Sequence, residues 1–130
     1  MIFLDASVLL AAEDADDPHH AASKRLLESG EPLGTVDLAI YEVTNVALAR
    51  WNDEGAARRL RDRVWAIGEL GQLVRADRSL GEAIAGLTAE HGISAYDAAY
   101  VAGAQRMGAQ LASCDERDLV GRGLASLPAL

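Results

Sequence analysis

One cysteine, Cys114, is all the sequence holds, so no internal disulfide can form. A single thiol fits a reducing cytoplasm. No apolar run approaches the ~18 residues that a membrane span requires. The first residues lack a basic segment followed by a long apolar core, so no signal peptide is expected. Positive charge is scarce: the formal net charge is −8. That balance argues against a simple electrostatic nucleic-acid binder, which is normally basic. There is no G-x-x-x-x-G-K-[ST] loop, no G-x-S-x-G elbow and no His/Cys zinc spacing. Repeats, low-complexity tracts and interdomain linkers are also missing, so the 130 residues are read as a single domain, 1–130.

Half the residues are hydrophobic and a quarter charged, as in an ordinary globular protein with a sizeable core. Ile2-Phe3-Leu4 reads as a short strand buried on both faces, followed by a helix from Ala6 to about Glu13. Asp17-Pro18 predicts the start of a second helix, running to about Ser29. Leu33–Val36 is a second strand. A mostly apolar helix follows from Leu38 to about Trp51, with Asp37 as its cap. Asn52–Gly55 is a turn into a long amphipathic helix ending near Leu70. Gln72–Arg75 is a third strand, Leu80–Glu90 a helix closed at Gly92, and Ser94 the cap of a small-residue helix. Gln110–Ser113 is a fourth strand, and Leu124–Leu127 a candidate last edge strand. This alternation predicts an α/β fold, a three-layer α/β/α sandwich around a central parallel sheet of four to five short strands.

Four acids stand out against this background. Asp5 ends the first strand, where open α/β sheets bind ligands. Glu42 interrupts an apolar helix. Asp97 lies on the first turn of the small-residue helix, and Asp115 lies just past the fourth strand. Each also has a plain structural reading. Asp5 and Asp115 can cap helices, Glu42 can face solvent, and Asp97 stands at a capping-box spacing from Ser94. Together, however, they could converge at one strand-end crevice. Clustered carboxylates need protons or divalent cations to compensate them, and hard oxygen donors suit Mg²⁺ or Mn²⁺. Such a site could hydrolyse phosphodiesters with a metal-activated water. Asp118 is a possible fifth acid. Arg58, Arg59, Arg61 and Arg63 on the long helix read either as a solvated face or as a phosphate-contacting patch, with Leu60, Val64, Trp65 and Ile67 on the buried side. His19 and His20 are adjacent and do not share a helix face, so they make a poor chelating pair. Cys114 reads as a small buried hydrophobe.

Leu4-Asp5-Ala6-Ser7, Tyr41-Glu42-Val43-Thr44-Asn45, Ser94 through Tyr100, and Ser113-Cys114-Asp115-Glu116-Arg117 resemble the four blocks of PIN-domain ribonucleases. Length and order resemble the VapC toxins of toxin–antitoxin pairs. The resemblance implies a Mg²⁺- or Mn²⁺-dependent endoribonuclease acting on RNA, a homodimer and a VapB-type antitoxin partner. It carries Asp5, Glu42, Asp97 and Asp115 onto the family's acidic metal ligands, with Ser7, Asn45 and Ser113 as supporting residues. Ser113 departs from the family's usual Thr but keeps the hydroxyl. Two rivals are an inactive PIN-like module whose acidic pocket receives a partner's arginine and a phospho-acceptor receiver domain. The latter wants a late lysine, whereas this chain's only lysine is Lys24.

Overall fold

The computed structural model describes residues 1–129; Leu130, the end of the expected domain, lies outside them. Four strands form one parallel sheet: β1 (Ile2–Leu4), β2 (Leu33–Val36), β3 (Leu73–Val74) and β4 (Gln110–Ala112), in the spatial order β3-β2-β1-β4. Helices α1 (Ala6–Glu13) and α2 (His20–Glu28) connect β1 to β2. Helices α3 (Leu38–Asn45) and α4 (Glu54–Glu69) connect β2 to β3, and α5 (Arg78–His91) and α6 (Ala95–Arg106) lead to β4. The first two connections step outward in one direction, and the third crosses back over β1. Because such crossovers are right-handed, the third must place its helices on the opposite face. Accordingly α1 to α4 pack with one another, while α5 packs on α6 and α6 on β1, β2 and β4. The sheet is thus sandwiched as the alternation predicts.

Local chemistry sets the element ends. Asp53, Asp77 and Ser94 each accept a hydrogen bond from a first-turn N–H, those of Ala56, Leu80 and Asp97. Gly92 closes α5 in the left-handed region at φ 67°. Gly103 lets α6 approach the sheet closely: a Cβ there would lie 2.7 Å from both Phe3 Cζ and Val36 Cγ1.

Several expectations are corrected. Leu124–Leu127 is not a strand; it contributes one parallel bridge, Ser126 to Ala112. The second helix begins at His20, because the Asp17 carboxylate accepts the His19 N–H in a tight turn outside the helix. The third helix does not run regularly to Trp51; it widens into a π-helical turn over Val46–Arg50. Trp65, expected to be buried, is 50% exposed.

Register positions the functional end of the sheet. Leu4 pairs with Ala112, so β1 and β4 finish side by side and release Asp5 and Ser113 as neighbours. The connections that follow β1 and precede β4 lie on opposite faces of the sheet, making the C-terminal ends of these strands the switch point at which a crevice opens.

Candidate metal centre

Asp5 is held from two sides. Its carboxylate caps α1 by accepting the Ser7 N–H at 3.0 Å. The Ser7 and Ser113 hydroxyls both donate to it. Those hydroxyl oxygens in turn accept backbone N–H groups beyond β4: Ser7 Oγ from Cys114 at 2.8 Å and Ser113 Oγ from Asp115 at 2.9 Å. The capping and clustering readings of Asp5 therefore coexist. Asp5 is 5% exposed, and burial pushes its carboxyl up to about 6 against these hydrogen bonds.

Across the crevice, Asp97 projects from the first turn of α6. Ser94 caps its N–H at 3.0 Å. Asp115 accepts the Asp118 N–H at 2.9 Å, capping a π-helical turn over Glu116–Val120. One carboxylate oxygen each from Asp97, Asp115 and Asp118 lie within 4.8 Å of one another, and all three residues are half-buried. Burial raises the Asp97 carboxyl, and the charges of Asp115, Asp118 and Glu42 push it the same way.

Glu42 reaches the crevice from α3, on the other face of the sheet. The Tyr100 hydroxyl donates to its Oε1 at 2.6 Å. Burial raises the Tyr100 phenol, and the charges of Glu42 and then Asp5 add to the effect. Tyr100 therefore joins the two sides of the site. Sequence reading gave it no role, although it stands one turn after Asp97, and a buried tyrosine needs a partner for its hydroxyl. Asp118, expected only as a fifth acid, likewise stands in the centre of the cluster.

The structure thus brings Asp97, Asp115 and Asp118 together as one trio, with Asp5 and Glu42 alongside but outside it. Ser7 and Ser113 lie in the network. Asn45 does not: it is exposed, bordering a groove with Tyr41, Leu48 and Arg61. The arginines do not share one patch. Arg59 pairs with Glu13 at 2.8 Å and borders a groove with Arg63 and Lys24, whereas Arg61 borders the Tyr41 groove. His20 Nδ1 lies 2.8 Å from the Ala11 carbonyl, and burial pushes the Cys114 thiol up to about 11, away from a nucleophile's range.

The donor set fits a hard divalent cation: all-oxygen, anionic, half-buried and mutually repelling without one.

An all-parallel four-stranded sheet with a carboxylate crevice at its switch point defines the class. Residues 2–120 match the PIN domain, and the chain belongs to that family. It is 29% identical over 123 residues to Ribonuclease VapC3 of Pyrobaculum aerophilum, covering 89% of this chain and 90% of that protein. Among solved structures, a chain of a toxin–antitoxin complex from Klebsiella pneumoniae superposes with a TM-score of 0.74 at 18% identity, covering 98% of both chains. VapC20 of Mycobacterium tuberculosis, a Sarcin-Ricin loop cleaving toxin, does so with a TM-score of 0.69 at 21% identity, covering 95% of both. Among the described residues, no helix is long and apolar enough to cross a membrane.

Proposed function

We propose that this chain is a divalent-metal-dependent endoribonuclease, the toxin of a VapBC-type pair, working in the cytoplasm as a single-domain homodimer restrained by a VapB-type antitoxin. The observation that carries the reading is the convergence of Asp97, Asp115 and Asp118 beside Asp5 and Glu42 in a chain of the PIN family. Similarity to Ribonuclease VapC3 supports the substrate class. Similarity to a chain of a toxin–antitoxin complex supports the partner.

Asp97, Asp115 and Asp118 would hold the cation, with Asp5 and Glu42 completing the anionic wall. Mg²⁺, or Mn²⁺ in its place, supplies Lewis acidity toward the phosphoryl oxygen and acidifies water when bound. The protein's own part is orientation and proton handling. Ser7 and Ser113 lock the Asp5 carboxylate by donating to it. Tyr100 occupies Glu42 Oε1 as a donor, leaving Oε2 to receive a proton from the attacking water. The trio's charge repels RNA phosphate until a cation neutralises it, which makes activity conditional on metal.

The test is cleavage of single-stranded and loop RNAs by the partner-free protein in Mg²⁺, Mn²⁺ or EDTA. Cleavage in either metal and none in EDTA is expected. Equal cleavage in EDTA would reject metal dependence, and inertness in all three across several RNAs would reject the nuclease.

A further inference from the structure

Beside the acidic crevice lies a cavity of about 730 Å³ that the chemistry above does not use. It shares Ser7 and Asp115 with the crevice, so the two form one continuous surface. Asp14, Asp17, Arg50, Trp51 and the pair His19–Glu116, whose Nε2 and Oε2 lie 3.5 Å apart, supply the polar and aromatic parts of its remaining wall. Trp51 reaches this wall through an irregularity. The π-helical turn after α3 accommodates one more residue than an α-helical turn, and the Trp51 N–H bonds the Val46 carbonyl at 3.0 Å. Asn52 then turns the chain away at φ 50°. The indole is half-buried and packs on the hydrophobic core, so it is a fixed shelf rather than a swinging ring.

The polar groups around that shelf are also fixed. Asp14 Oδ1 accepts the Asp16 N–H at 3.0 Å, and Asp17 Oδ1 accepts the His19 N–H at 2.8 Å. Each carboxylate keeps a second oxygen as an acceptor. Arg50 is exposed at the rim and, among the described residues, pairs with no carboxylate. An aromatic shelf, paired acceptors and one free guanidinium, next to acids suited to phosphodiester hydrolysis, match the parts of a nucleotide. Single-stranded RNA is recognised by splaying a base onto an aromatic ring and reading its edge. Carboxylates accept from exocyclic amino groups. Uracil has none and would turn carbonyl oxygens toward Asp14 and Asp17.

We propose that this cavity is a nucleobase subsite: Trp51 stacks the base next to the cleaved phosphate, Asp14 or Asp17 receives its exocyclic amino group, and Arg50 contacts the RNA backbone. Bases with an amino group are thereby selected over uracil. The inference rests on the nuclease reading.

Its test has a readout independent of cleavage. Trp65→Phe leaves Trp51 as the sole tryptophan. Tetracytidylate and tetrauridylate are titrated against that protein in Ca²⁺. Tetracytidylate should quench Trp51 emission and bind at least about fivefold more tightly than tetrauridylate. In steady-state cleavage of a cytidine-containing RNA, Trp51→Ala should raise KM about tenfold with kcat within about twofold, and Trp51→Phe should recover most of the loss. Cleavage without quenching, and with KM unmoved by Trp51→Ala, would reject the subsite and leave the nuclease standing. Quenching by tetracytidylate in a protein that cleaves no RNA would keep base binding and reject the nuclease. Quenching by an arginine-bearing peptide but by neither oligonucleotide would assign the cavity to a protein partner and overturn the proposal.

Discussion

Asp5→Asn should make the metal-free protein more stable while abolishing its activity. Asp5 is 5% exposed, and its carboxyl lies at about 6 rather than its ordinary 3.8 because burial outweighs the hydrogen bonds from Ser7 and Ser113. A carboxyl raised in the folded state gives stability that is fully present below the unfolded value, near 3.8. That stability is lost as pH rises through about 6. At pH 7.5 the wild type therefore carries the whole cost of a buried charge, about 3 kcal/mol. Asparagine stays neutral, but it cannot accept both serine hydroxyls as the carboxylate does, which returns about 1 kcal/mol. The net gain is about 2 kcal/mol at pH 7.5, or about 7 °C in Tm at this chain length. Thermal melts in EDTA at pH 7.5 and 4.5 measure it. The gap should shrink to near zero at pH 4.5, where the wild-type carboxyl is largely protonated. A variant no more stable than wild type at pH 7.5, or a gap unchanged at pH 4.5, would refute the argument.

Three further outcomes are expected. Tyr100→Phe keeps the buried ring but removes the donor to Glu42 Oε1; RNA cleavage should fall about tenfold while the melting temperature moves by only a few degrees. Gly103→Ala would push a methyl to 2.7 Å from Phe3 and Val36, and denaturant melts should show a loss of about 1–3 kcal/mol from overpacking. Replacing Arg58, Arg59, Arg61 and Arg63 with Gln should weaken RNA binding and flatten its salt dependence; unchanged binding across a salt series would remove these side chains from the account.

The sheet was legible because buried parallel strands are short continuous apolar runs between helices, as at Ile2–Leu4 and Leu33–Val36. Of the expected caps, Ser94 holds the N–H group its position implied, whereas Asp37 precedes its helix without a side-chain capping bond. The π-helical turns at Val46 and Glu116 were not legible, since an i→i+5 bond has no compositional signature. Leu124–Leu127 has a strand's composition, but only Ser126 pairs with β4. Of the site, the acids were visible as residues in unusual places. The pairing of Glu42 with Tyr100 was not, because it joins helices on opposite faces of the sheet, 58 residues apart. Asn45, a supporting residue only through the resemblance, stays exposed while Glu42 of the same helix turns to Tyr100. Asp118 gained its place through a turn that Asp115 itself caps.

The most direct test of the catalytic crevice is RNA cleavage by Asp97→Asn beside the wild type in Mg²⁺, with circular dichroism on both. Asparagine preserves shape, and Ser94 still caps the backbone of residue 97, so the fold should be retained. A folded variant whose cleavage rate falls at least about a hundredfold is expected. A folded variant that cleaves at the wild-type rate would contradict it, and the carboxylate trio would no longer be the centre of the chemistry.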